Sequence, residues 1–377
     1  MSKCYLCGIE LTPENGSEEH IILNALGGRY KTKKLLCKKC NNNSGTDYDA
    51  VLANQYHFFT SILGVDLARG KPPVLSMKAD DGQTYIIQNG TTPILSHPIV
   101  KNEKIDETSS KVSITARSKE ELEQKLNDFK KKGYKIDIEE AMKNAVYRRE
   151  PSPTMHSMLS FGGIESFPAI LKMAVSQYID KTDDIENVKS AIEDIRNPPK
   201  DIKDFKKVEL CILEKDIFEV EEGEISHSIL LNASAEKQKL YAVIQLFNTQ
   251  QYIVKLSDTY NGSDFTDLYV YDVLKKSELK KDILWSPDFD FVFNFKYPAS
   301  SPNFSIMQNR VTRIMEIAMR TKEEHRKKEI LEKMTEGLVE KIKKRFESGN
   351  PPSEAEIHAI CEEFADEYLP KKATFME

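Results

Sequence analysis

The chain has 377 residues, 40% hydrophobic and 30% charged, which fits a globular protein of two or three domains and excludes a disordered or fibrous chain. A net charge of −6 excludes a general nucleic-acid coat, so any phosphate contact must come from a local basic patch. No apolar run approaches the ~20 residues that span a bilayer, and MSKCYLCG lacks the apolar core of a signal peptide. The expectation is a cytoplasmic protein with no membrane partner.

Turn formers cluster at Pro13–Gly16, Gly27–Gly28 and Asn41–Gly45. Asp47 to Phe59 then reads as one helix, with Tyr48, Val51, Leu52, Gln55 and Phe58/Phe59 along a face. Thr84–Gln88 and Lys111–Ala116 read as strands. Ser118–Lys132 reads as a helix that Ser118 and Glu121 open as a capping box. Arg148–Pro153 is expected to be a linker. Helices are expected over Phe167–Ile179 and Asp184–Ile195. Period-two patterning predicts strands at Val208–Leu213, Ser228–Asn232, Leu240–Phe247, Tyr252–Leu256 and Phe291–Phe295. Apolar residues on both faces of Leu240–Phe247 predict a central strand of an antiparallel sheet, with Asn248–Gln251 as its turn. Ser305–Phe346 and Ser353–Tyr368 read as terminal helices. The fold class is α+β, divided as a module over 1–60, an α+β region over 74–300 and a helical tail over 303–377.

Cysteines carry the clearest signal. Cys4-x2-Cys7 and Cys37-x2-Cys40 stand 29 residues apart, while Cys211 and Cys361 are isolated. Paired CxxC turns in a chain without an export signal read as a metal site, here a closed Cys4 zinc shell. Such a shell has no open position, so the zinc is structural. Between the knuckles lies Glu18-Glu19-His20-Ile21-Ile22-Leu23-Asn24-Ala25-Leu26-Gly27-Gly28, and after them Asn41-Asn42-Asn43-Ser44-Gly45. In this order and spacing the segment resembles the HNH endonuclease family, in the subgroup with two zinc knuckles. The resemblance covers roughly one seventh of the chain, about residues 4–55.

The resemblance implies a ββα-metal fold, cleavage of DNA or RNA, and a catalytic Mg²⁺ or Mn²⁺. It makes His20 the general base and makes Glu19 and Asn41 the ligands of that ion, with Asn43 as the alternate. The residue types suit the chemistry. Imidazole titrates at about 6.5, and carboxylate and amide oxygens favour a hard cation. Glu19 and His20 are adjacent on a strand, so their side chains leave on opposite faces. Two positions depart from the family pattern: Leu23 stands where many members have Pro, and Thr32 stands where the middle Asn is expected. Asp49 is placed to support the site from the following helix.

Arg29, Lys31, Lys33, Lys34, Lys38 and Lys39 form a basic stretch without an acid, the expected contact for phosphate. His57, His156 and His227 have no ligand-spaced partners, and Cys211 reads as core. Asp288-Phe-Asp290-Phe reads as a half-exposed strand. Phe167–Ala174, Ser226–Ile229, Tyr241–Phe247 and Tyr252–Val254 resemble the C-terminal region of some long bacterial HNH proteins, a few of them linked to anti-phage defence. A targeting, sensing or assembly role is expected there, with a homo-oligomer or protein partner. The competing class is a non-cleaving zinc module that binds nucleic acid or protein.

Overall fold

A computed structural model describes residues 2–67, 74–88, 90, 93–105, 110–146, 153–296, 304–345 and 353–362. The chain divides into two units, Met1–Ala318 and Met319–Glu377.

The first unit begins with elements too short to hold themselves. β1 (Glu19–His20) and β2 (Lys31–Thr32) pair antiparallel, with Glu19 opposite Thr32 and His20 opposite Lys31. The turn between them needs its glycines. Gly27 closes a short helical turn at φ +95°, and a Cβ on Gly28 would meet the Ile22 carbonyl oxygen at 2.0 Å. The second knuckle opens α1 (Lys38–Ser44), where the Cys37 sulfur caps the Cys40 N–H. The single helix expected over 47–59 is divided. Gly45–Asp49 forms a π-helical turn, followed by α2 (Ala50–Gln55) and α3 (His57–Ile62). Tyr56 breaks it because its hydroxyl pairs with Tyr252 at 3.0 Å and its ring stacks on Phe247.

β3 (Val74–Lys78), β4 (Thr84–Gln88) and β5 (Ile94–Leu95) form a small antiparallel sheet. β6 (Ile99–Lys104) and β7 (Ser110–Thr115) form a separate hairpin ladder. In α4 (Lys119–Lys131) Ser118 caps the Glu121 N–H at 3.2 Å, as its sequence predicts. Glu121 takes the Arg117 N–H at 2.8 Å, one residue earlier than a capping box requires. α5 (Ile138–Lys143) follows. The expected linker at 148–153 lies almost wholly outside the described residues.

The main sheet runs in the order β13-β12-β9-β10-β11-β8, antiparallel throughout. Against one face lies α6 (Phe167–Thr182), in which every residue from 167 to 180 is buried, and beside it α7 (Lys189–Arg196). A helix with apolar residues on every side has to be enclosed on all sides, with partners for its few polar residues. The strands are β8 (Val208–Cys211), β9 (Ser226–Ser234), β10 (Lys239–Leu246), β11 (Gln250–Ser257), β12 (Phe265–Asp272) and β13 (Ser277–Leu279). Central β10 sends Ala242, Ile244 and Leu246 into the core shared with α6, and Tyr241 and Val243 into a second core with Phe218, Val270 and Val292. That two-sided burial is what the apolar residues on both of its faces predict.

Three expectations fail locally. The segment 291–295 is not a strand but part of α8 (Phe289–Asn294), with Asp288 capping the Asp290 N–H at 2.7 Å. The alternation of acid and aromatic there is a helix cap beside an apolar face. β12 and β13 escape the pattern reading because β12 mixes exposed and buried residues without clean alternation. The hairpin turn is centred on Phe247 and Asn248, both left-handed as a type I′ turn requires, two residues before the centre of the expected Asn248–Gln251 turn. This turn swings Phe247 out of the Tyr241 face and onto Phe59 and His227. α9 (Phe304–Arg345) begins in the first unit, where Ile314 and Ile317 are buried.

His227 is wholly buried in β9. Its Nε2 donates to the Leu26 carbonyl at 2.9 Å and its Nδ1 accepts the Phe247 N–H at 3.1 Å. One ring therefore bolts the sheet to the loop that follows β1. Burial pushes its pKa down to about 4, so the folded state holds it neutral. The unfolded chain binds the proton near pH 6.5, so stability present above that value is lost as pH falls toward 4. Denaturant unfolding at pH 7 and pH 4 should show the native chain losing on the order of 3 kcal/mol more than His227→Gln. Equal acid sensitivity of the two would contradict this role.

Candidate active site

The four cysteines converge. One sulfur from each of Cys4, Cys7, Cys37 and Cys40 lies within 4.8 Å of all the others, and Cys7 Sγ is 3.7 Å from Cys37 Sγ. A tetrahedral zinc shell with Zn–S near 2.3 Å needs sulfurs about 3.8 Å apart. The cluster fits a structural zinc site. Its surroundings explain why: the Tyr5 N–H bonds to Leu35 O at 3.1 Å and the Ser17 N–H to Leu36 O at 2.9 Å, which brings the two knuckles together. Both strands of the module are two residues long, so a zinc bound at the cysteines would supply the cohesion that a larger core would. The protein should hold close to one zinc per chain by atomic absorption, and Cys37→Ala should lose it along with at least about 3 kcal/mol of stability. A variant without zinc that melts like the parent would contradict this.

Beside the cluster is a cleft of about 280 Å³, lined by Glu19, His20, Leu23, Asn24, Ala25, Asn41, Gly45, Asp49, Ala50 and Ala53. Glu19 is buried and His20 half-buried, on opposite faces of β1 as strand geometry demands, yet both border this cleft. Asn41 reaches it from the first turn of α1, and its amide nitrogen donates to Ser17 Oγ at 2.7 Å. Asn42 and Asn43 are exposed. The π-helical turn brings Asp49 round to the same side as Asn41 and Gly45. Thr32 stands opposite Glu19, and its hydroxyl accepts from the Lys34 N–H at 3.5 Å. Among the described residues no group hydrogen-bonds the His20 ring. Burial first, then the charges of Lys31 and Arg29, lowers the His20 pKa, which keeps its imidazole neutral at pH 7.

A buried cation organises the carboxylates. Lys172 Nζ lies 2.8 Å from Glu19 Oε1 and 2.6 Å from Asp49 Oδ2. Burial alone would lower the Lys172 pKa, but the Glu19 and Asp49 charges outweigh it and hold the ammonium protonated. Burial raises the Asp49 pKa to about 6 against the pull of Lys172. Sequence reasoning missed Lys172. Its signal was present: it is the one charged residue between Phe167 and Ile179, in a stretch otherwise fit for a core.

The basic stretch is less open than its sequence implies. Lys31 and Lys33 pair with Glu18, the latter at 3.5 Å. Lys34 sits 3.5 Å from both Asp180 and Asp183. Arg29 donates to Asn24 Oδ1 at 3.0 Å and to the Asp66 carbonyl at 2.6 Å. Lys38 and Lys39 are exposed on α1.

A four-sulfur cluster that fits zinc, a short β-pair, a helix and a cleft bordered by His, Glu and Asn together have the form of a ββα module. Residues 4–57 match the family model described as HNH endonuclease. No curated protein and no solved structure matches the chain. Among the described residues no helix is long and apolar enough to cross a membrane.

Proposed function

We propose that the chain is a metal-dependent endonuclease that hydrolyses phosphodiester bonds of DNA, with His20 as general base. The observation that carries this reading is the shared cleft: Glu19, His20 and Asn41 border one space within a segment that matches HNH endonucleases. Glu19 and Asn41 supply carboxylate and amide oxygens that would hold Mg²⁺ or Mn²⁺, which neutralises charge on the scissile phosphate. The neutral His20 imidazole accepts a proton from water as its oxygen bonds to phosphorus. The bond from phosphorus to the leaving oxygen breaks, and that oxygen is protonated from solvent.

Lys38 and Lys39, exposed and without an ion pair among the described residues, are the first phosphate contacts, with Arg29, Lys31, Lys33 and Lys34 as further ones. Exposed pairs such as Lys31–Glu18 are worth little in water, so an arriving phosphate can displace them. The zinc holds the scaffold and takes no part in the chemistry. We read the remainder of the chain, including the sheet, as a controlling region, of the kind found in defence effectors; the sequence resemblance of residues 167–254 is its basis.

Supercoiled plasmid incubated with the zinc-loaded chain and Mn²⁺ should be nicked or linearised, and His20→Ala should be slower by about a thousandfold. The competing reading, a module that binds without cutting, draws on two observations. Lys172 engages Glu19, and Thr32 does not reach His20. If both proteins shift DNA in a gel but leave DNA and RNA intact with every divalent ion, the binding module is correct.

A further inference from the structure

α6 lies outside the segment that matches the nuclease family, yet it presents a polar stripe to that segment at four-residue spacing. Lys172 meets Glu19 and Asp49, Ser176 Oγ meets the Tyr5 hydroxyl at 2.9 Å, and Asp180 meets Tyr30 and Lys34. Residues i, i+4 and i+8 of a helix share one face, so the stripe fixes both the rotation and the height of α6 against the module. Lys172 is thereby set, 1% exposed, in the gap between two carboxylates that come from β1 and from the π-helical turn.

Charge in this cluster is unequal. Two carboxylates share one ammonium, and both border the cleft. Asp49 Oδ1 is buried without a hydrogen-bond partner among the described residues. A gap between two buried carboxylates is itself an attractive seat for a divalent cation. The ammonium fills that gap.

We infer that Lys172 is a positioning residue of the nuclease centre: it occupies the gap between Glu19 and Asp49 and so reserves Glu19 for an ion shared with Asn41, rather than one drawn into that gap. The inference rests on the nuclease reading. It makes the centre dependent on a helix from beyond the module, and it assigns Lys172 two opposed effects. The ammonium weakens divalent-ion binding by repulsion while it directs the ion to the productive place.

The test uses the full-length zinc-loaded chain and Mn²⁺ alone, with free Mn²⁺ followed by electron paramagnetic resonance, beside plasmid nicking at saturating Mn²⁺. Lys172→Met should bind Mn²⁺ about tenfold more tightly and cleave at least about tenfold more slowly. A purely structural lysine gives no such opposition, because a damaged fold weakens both. Should Lys172→Met fail to fold, Asp49→Asn supplies the reading. It leaves one ammonium against one carboxylate, and Mn²⁺ affinity should fall about tenfold. Binding by Lys172→Met that equals or falls below the parent's overturns the inference, as does unchanged binding by Asp49→Asn. If the parent cleaves nothing and binds Mn²⁺ no better than Glu19→Gln, the nuclease reading fails and takes the inference with it.

Discussion

The buried contact of Lys172 with Glu19 and Asp49 is the constraint on which the rest of the first unit depends. An ammonium that is 1% exposed cannot be tolerated without partners, since desolvating a lone charge costs several kcal/mol. Its two carboxylates come from β1 and from the π-helical turn, so the contact forms only when β1, α1, the turn and α6 are all in place. The same contact sets the geometry of the cleft, because Glu19 and Asp49 line it. Folding of the module and assembly of its cleft are thus one event.

Around that contact the module is held from two sides. The cysteine cluster ties its N-terminal knuckle to the knuckle before α1 and compensates for strands of two residues. His227 and the aromatic group of Tyr56, Phe59, Phe161 and Phe247 tie its far side to the sheet. One continuous apolar core runs from Cys4 and Tyr5 through α6 to Ile314 and Ile317. A change felt by the sheet has short physical routes to the cleft, through α6 to Glu19 and through His227 to the loop after β1.

Much of this was legible in the sequence, for identifiable reasons. The CxxC pairs, the Glu-His strand and the Gly-Gly turn are local features whose chemistry follows from spacing, and the two-sided burial of β10 shows in the apolar residues on both of its faces. What escaped was set by tertiary contact. Tyr56 divides a helix because of a partner almost 200 residues away in sequence. The segment around Asp288 and Asp290 becomes a helix because a cap outweighs alternation. The basic stretch from Arg29 to Lys39 lacks acids in its own sequence, but Glu18, Asp180 and Asp183 reach it in space. Lys172 went unnoticed in an apolar helix, and its partners could not be guessed from its neighbours.

The central claim is that the cleft beside β1 seats a divalent ion separate from the zinc. Anomalous diffraction from crystals soaked in Mn²⁺ tests it most directly. The account predicts two peaks, one zinc among the four cysteines and one manganese in the cleft within about 2.5 Å of oxygens from Glu19 and Asn41. A manganese peak absent from the cleft, or one found only at the cysteines, would contradict it.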